Sequence, residues 1–493
     1  FDDGSTHVLN KTFSNAVDDA KKMTISVWAK RGNLSGSTQV IISAYTGVRF
    51  VGDLSWYSSN TLRFDPGGNG NGASNSYTIE TDAVFRDVGA WYHIVLAYDT
   101  TQGTDTNRIK IYVNGILQSA SAVSGNTYPT LNYEHTYSYN GANNQIGNYT
   151  SVASGPLDGY LAEFNFVDGL ALAPSSFGET KNGVWIPIEY TGSYGGNGYR
   201  LKFDQVGVGT ASTSTIGADT SGNTNHFTSS GIVASDCAMP DSPENNFATF
   251  NGLIKTNSGS LSEGNLKSNS VVGGGSKYGT NGSTFLLKSG KWYAEMLMIG
   301  GSSLGATFSG AVTYRNDSST RIGFDIAIVY TNVIYSNGGI VQTGLSGISA
   351  GDVFGFAVDV DNKTCQVYKN GSTYGSQVDW SGNTYADNGF SGLGHGHGSS
   401  LSNSTIAVNY GQDSTFAGEI SAGTSTDANG YGLFKHAPPS GGFLAICSAN
   451  LPEPTIGANS DTQADDYFNT VLFTGDGGTK AVTGLGFQPD WFW

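Results

Sequence analysis

Among residues whose type and spacing could support chemistry, His395 and His397 stand out, in the run Leu393-Gly394-His395-Gly396-His397-Gly398. Two imidazoles at i and i+2 could ligate a metal from one side. No carboxylate or thiol adjoins them to complete a shell, so a flexible surface loop is the preferred reading. Asp219, Asn223 and Asn225 set hard oxygen ligands in a polar turn, like part of a calcium loop. The alternate carboxylates and distal bidentate Glu of an EF-hand are missing, which favours an Asx-type turn and leaves calcium open. Glycan cleavage needs two carboxylates flanking the scissile bond. On a strand they would stand at i and i+4 around a middle acid, facing one groove, and no such spacing occurs. Glu163 and Glu295 each lie alone among apolar neighbours, while Asp359 and Asp361 share a parity beside a tight turn. His93 is inside a strand-like run and reads as a core histidine. No Gly-x-Ser-x-Gly elbow sits between a strand and a helix, and P-loop and His-Glu-x-x-His motifs are absent. The expectation is a chain without catalysis, cofactor or resident metal.

Binding remains. A lectin-like site stacks a flat ring on a sugar face while Asn, Asp or backbone groups take the hydroxyls. Aromatics in polar, turn-like surroundings are candidates: Trp56 and Tyr57; Tyr133, Tyr137 and Tyr139; and Trp380, Tyr385 and Phe390, close to His395 and His397. The competing use of such rings is to fill cores or subunit contacts.

The elements that must hold these residues are strands. Glycine supplies 70 of 493 residues, about twice the usual share of roughly 7%, and charged residues are scarce at 13% against roughly 25%. Aromatics reach 12%. Strands favour aromatic and β-branched side chains and tight turns favour Gly and Asn, so the composition reads as all-β. A net charge of −16 repels phosphate backbones and argues against a nucleic-acid partner. No apolar run approaches the roughly 20 residues needed to span a bilayer, so membrane insertion is not expected. Cys237, Cys365 and Cys447 are odd in number and widely spaced, which is no disulfide framework and fits folding in a reducing cytoplasm. The absence of an initiator Met and the apolar end Asp490-Trp491-Phe492-Trp493 suggest part of a longer polypeptide.

Period-2 runs recur. Ile25, Val27 and Ala29 share a face, as do Ile109, Ile111 and Val113, the latter set ending at Asn114-Gly115, a strong hairpin signal. Trp91 to Tyr98 is apolar on both parities, as in a covered central strand. Gly351 to Gly375 holds two further strands and a second Asn-Gly turn at Asn370-Gly371. The expected organisation is a sandwich over 1–178, a β-rich connector over 179–246 packed on it, and a second sandwich over 247–417. An extended segment over 418–466 and the start of a third β module over 467–493 follow.

The runs TISVWAKR from Thr24, WYHIVLAYD from Trp91, IYVNG from Ile111 and GYLAEFNFVDGLAL from Gly159 resemble the laminin-G-like, concanavalin-A-like lectin family. GDVFGFAVDVDNKTCQVYKNGSTYG from Gly351 resembles the most recognisable hairpin of the SPRY domain, another concanavalin-A-like jelly roll. The whole series, with Val184-Trp185-Ile186-Pro187, PPSGGFLAICSANLPEPTI and a GFQPDW-type start, is similar to virion structural proteins of tailed bacteriophages, marine ones especially. The resemblance implies tandem jelly-roll sandwiches in a tail-fibre-like virion protein made in the host cytoplasm. It implies other virion proteins as partners, homo-oligomers for which a trimer would suit a fibre, and a host-surface glycan as ligand. Two alternatives stay open: a capsid-decorating protein without a receptor, and a secreted bacterial glycan-binding module of a larger enzyme.

Overall fold

The computed structural model describes residues 1–452 except 3–6, 35, 48–50, 68–76, 124, 150–154, 182, 255–259, 271–281, 302–306, 314–325, 330–331, 337–338, 384–385 and 398–403; beyond 452 it describes only 474, 477–478, 481 and 483. The expected third module, 467–493, therefore lies almost wholly outside the described residues. The chain is all-β, and its helical pieces among those residues are three-residue 3₁₀ turns.

Two β-sandwiches follow one another. The first packs a six-stranded sheet on an eight-stranded one. Lys22–Arg31 lies at the centre of the smaller sheet, between Gly159–Asp168 and Trp91–Asp99. Alternation decides its faces: Met23, Ile25, Val27 and Ala29 enter the core between the sheets, while Thr24, Ser26, Trp28 and Lys30 point the other way. Both faces are covered. The larger sheet contributes Ile42, Leu54, Trp56, Leu62, Phe64 and Ile146 to the same core. Two strands from beyond residue 178 complete the sandwich: Tyr199–Leu201 pairs with Gly159–Asp168, and Thr228–Ser230 pairs with Val8–Thr12.

In the second sandwich Lys291–Gly301 runs between Val353–Asp359 and Ser404–Asn409. The facing five-stranded sheet includes Ile326–Val329, Thr307–Thr313 and Phe390–His397. Trp292, Met296, Phe354, Phe356, Cys365 and Val408 fill the space between.

The two sandwiches reuse one device. Asn114 and Asn370 both have φ of 50°, and Gly115 and Gly371 both have φ of 79°, a region open to Gly and Asn. Asn114 Oδ1 accepts the His93 N–H at 2.8 Å, and Asn370 Oδ1 accepts the Val353 N–H at 2.8 Å. Each hairpin thus braces the strand beside it. A Cβ on Gly115 would meet the Trp185 ring at 2.9 Å, and one on Gly371 would meet His436 Nδ1 at 3.0 Å. Each turn is covered by a ring from the segment that follows its own sandwich.

Candidate functional site

Folding divides the candidate aromatics. Trp56, Tyr137, Trp380 and Phe390 are at most 3% exposed. Trp56 packs against Phe85 and Tyr92 at 5.7 and 5.6 Å between centroids, and Tyr137 stacks on Phe64 at 6.1 Å. Trp380 and Phe390 belong to the second core. Expected at loop surfaces, these four rings instead turn inward to fill the space between sheets, and they are withdrawn as ligand contacts. Tyr133 is half-buried, its hydroxyl donating to Gly67 O at 3.0 Å. Tyr139 is also half-buried. Tyr385 lies outside the described residues. The His/Gly run is a strand, Phe390–His397, and not a loop. His395 is 2% exposed, with Nδ1 3.0 Å from Ser268 Oγ and Nε2 2.9 Å from Ser404 Oγ. Both ring nitrogens are committed inside the protein. The side chain of His397 lies outside the described residues.

Tyr57 keeps an edge to solvent. The Arg63 guanidinium lies 3.2 Å from its ring centroid, and Arg63 donates to Glu80 Oε2 through Nη2 at 2.7 Å. This charged stack stands on the outward face of the eight-stranded sheet. The same face carries a cross-strand pair that no spacing in the sequence announced: Asp53 lies directly opposite Asp65. A glycosidase would need two carboxylates flanking its scissile bond. The surroundings of Asp53 and Asp65 are those of a structural pair. Asp65 accepts Gly67 N–H on Oδ1 at 2.8 Å and Thr78 Oγ1 on Oδ2 at 3.0 Å. Asp53 Oδ2 accepts Ser55 Oγ at 2.8 Å. Burial pushes the Asp53 carboxyl up to about 6. Both residues are at most 9% exposed, and neither borders a described cavity.

His93 is equally committed. Its ring stacks on Trp28 at 4.7 Å and beneath Trp185 at 6.0 Å. Trp185 Nε1–H donates to His93 Nδ1 at 2.9 Å. An indole nitrogen can only donate, so Nδ1 is the acceptor and the proton of the neutral ring sits on Nε2, 2.9 Å from Ser26 Oγ. Burial pushes this histidine down to about 3. A ring that holds its proton toward the serine cannot act as the base that activates it.

Three other acidic candidates resolve as braces. Asp219 accepts the backbone N–H groups of Arg200, Ser221 and Asn225 at 2.9, 2.8 and 2.7 Å, an Asx turn that leaves little for a cation. Glu163 stands at a strand irregularity with φ of 46° and meets Arg200 Nη2 at 2.9 Å. Glu295 accepts the Lys435 and His436 N–H groups, both at 2.8 Å, and fastens the segment after the second sandwich. Among the described residues no three His, Cys, Asp or Glu side chains gather to hold a metal.

A cleft of about 370 Å³ opens where the first sandwich meets the chain beyond it, within the usual size range of ligand sites, about 300–1,000 Å³. Tyr160, Leu161 and Phe203 give it apolar walls, and Lys202, Asp204 and Asp236 give it polar ones. Phe203 has φ of 61°. The strand before it ends at Leu201, so the ring leaves the alternation of Tyr199-Arg200-Leu201 and enters the cleft wall. Sequence reasoning missed these residues because Tyr199 to Asp204 reads as one continuous strand.

Residues 2–175 match the family model of the concanavalin A-like lectin/glucanases superfamily. No curated protein sequence matches the chain. Among solved structures, the heptameric SAP-like pentraxin of Limulus polyphemus is 19% identical with a TM-score of 0.24, over 34% of this chain and 71% of that one. The SPRY domain of human HERC1 is 18% identical with a TM-score of 0.26, over 33% and 97%. The CBM40 of the Ruminococcus gnavus IT-sialidase, bound to α2,3 sialyllactose, is 16% identical with a TM-score of 0.22, over 29% and 72%. At scores this low the assignment of fold rests on the strand pairing and the family match.

Proposed function

We propose that this chain is a non-enzymatic structural protein of a tailed-bacteriophage particle, tail-fibre-like, whose lectin-like sandwiches attach to glycans of the host surface. The observation that carries attachment is the cleft beside the lectin-family sandwich, whose lining includes Phe203 together with Lys202, Asp204 and Asp236. A flat ring beside charged groups suits a sugar, with one apolar face and hydroxyls at its rim. The absence of catalysis is supported by the commitment of Asp53, Asp65 and His93 to internal hydrogen bonds. The place on a virion is supported by the ordered resemblance described above. Copies of the chain would assemble with one another and with other virion proteins, since repeated weak contacts multiply into firm attachment.

Two measurements test this reading. Antibody labelling of particles in electron micrographs locates the chain, with label at the tail expected; label confined to the capsid shell, or none, overturns the tail assignment. Binding of the purified chain to host-surface polysaccharide tests the ligand. Phe203→Ala should weaken binding about 2- to 12-fold, the share of one stacking ring at about 0.5–1.5 kcal/mol. Equal binding by the variant overturns the cleft as the site.

A further inference from the structure

Lys30 leaves the central strand of the first sandwich and enters a site with no solvent. Its side chain and that of Asp241 are both 0% exposed. Lys30 Nζ lies 2.8 Å from Asp241 Oδ2, 2.7 Å from Asn246 Oδ1 and 2.7 Å from Phe247 O. Trp91 Nε1–H holds the other Asp241 oxygen at 3.0 Å, and the Tyr160 ring lies 5.6 Å from Nζ. An amine, a carboxamide and a carboxyl group thus meet beside aromatic rings, with the amine and the carboxyl group shielded from water.

We propose that Lys30 and Asn246 join through an isopeptide bond, with Asp241 carrying the protons. Asp241 takes a proton from the Lys30 ammonium along their existing hydrogen bond, leaving a neutral amine. The Nζ lone pair closes on Asn246 Cγ, next to the oxygen it already touches. Asp241 then passes the proton to Asn246 Nδ2, and a second Nζ proton follows the same route as the addition product collapses. The Nζ–Cγ bond forms, the Cγ–Nδ2 bond breaks, and the nitrogen leaves as an ammonium ion with Asp241 back as its carboxylate, a net loss of one ammonia from the neutral chain. No oxidant or co-reactant is needed.

The surroundings support each part. Burial pushes Lys30 downward, toward the neutral amine that attack requires. Asn246 Nδ2–H donates to Gly89 O at 2.7 Å, which fixes the amide with its oxygen toward Lys30. Asn246 is itself only half-buried, so ammonia has a way out. The bond would span 216 positions of sequence and tie the first sandwich to the segment that enters the second. A covalent tie at that place would carry mechanical load that hydrogen bonds alone would shed.

The test is the mass of the purified chain, denatured and intact, followed by peptide mapping. The expected mass is below the sequence mass by one ammonia, with a branched peptide joining Lys30 to Asn246 and no tryptic cleavage after Lys30. A succinimide at an Asn also loses ammonia, so the branched peptide decides. Asp241→Asn should restore the full sequence mass and free Lys30. A wild-type chain at its sequence mass with cleavable Lys30 overturns the proposal. So does loss of water with a Lys30–Asp241 link, or a branched peptide that persists in Asp241→Asn.

Discussion

Lys30 Nζ and Asp241 Oδ2 lie 2.8 Å apart with neither side chain touching solvent, and the second sandwich begins six residues later, at Phe247. The two cores are therefore joined through a desolvated polar node rather than a free linker. Phe247 donates its N–H to Asp241 Oδ1 at 3.2 Å, and Tyr160 Oη donates to Gly264 O at 2.9 Å across the same boundary.

Removing Lys30 leaves the Asp241 carboxylate as an uncompensated buried charge and removes any bond to Asn246. Lys30→Met should destabilise the chain by about 3–5 kcal/mol in denaturant unfolding, and Lys30→Met with Asp241→Leu should recover part of the loss. Equal loss in single and double variants would mean that the pair does not act as a pair.

Glu295 makes stability depend on pH. Burial pushes its carboxyl up from 4.5 to about 7, against the opposing hydrogen bonds from Lys435, His436 and Asn409. The folded state therefore holds a proton that the unfolded chain has released. This contribution is complete below about 4.5 and is lost as pH rises through about 7. The loss is on the order of 3 kcal/mol. Melting temperature should fall between pH 5 and pH 7.5, and Glu295→Gln should flatten that slope. An unchanged slope in the variant would contradict the assignment.

Adjacent aromatics should behave oppositely. Trp56 is wholly buried whereas Tyr57 lies under Arg63 at the surface. Trp56→Ala should cost about 3–5 kcal/mol, and Tyr57→Ala less than about 1 kcal/mol. Thermal or denaturant unfolding of the two variants measures the contrast.

Calcium should not act through Asp219. Its oxygens already accept three backbone N–H groups. Chelator or added calcium should leave the melting temperature unchanged, while Asp219→Ala should lower stability by about 1–3 kcal/mol through the unpaired donors. A calcium-dependent rise in melting temperature that Asp219→Ala abolishes would overturn the reading.

Local pattern made much of the architecture legible. The alternation of Ile25, Val27 and Ala29, and the Asn114-Gly115 and Asn370-Gly371 turns, depend on residues close in sequence, so period and turn chemistry expose them. The site was less legible because side-chain parity and distant pairing decide it. Trp56 and Tyr57 are neighbours, yet Trp56 closes the strand Gly52–Trp56 with its ring in the core while Tyr57 lies just beyond it, and a loop-like reading of Trp56-Tyr57-Ser58-Ser59 assigned both outward. His395 sits in a glycine-rich run that looks mobile, yet pairing with Thr307–Thr313 makes it a strand. Asp53 and Asp65 meet only because a turn folds two strands together. Lys30 and Asp241, 211 positions apart, share no local signal at all.

On the proposed function these sheets grip a glycan without cutting it, and Asp53 and Asp65 are the paired carboxylates through which cutting would show. The direct measurement is to incubate the purified chain with host-surface polysaccharide and follow both retention and polymer length. Retention with unchanged length and no new reducing ends is the predicted result. Shortening of the polymer that Asp53→Asn or Asp65→Asn abolishes would contradict it.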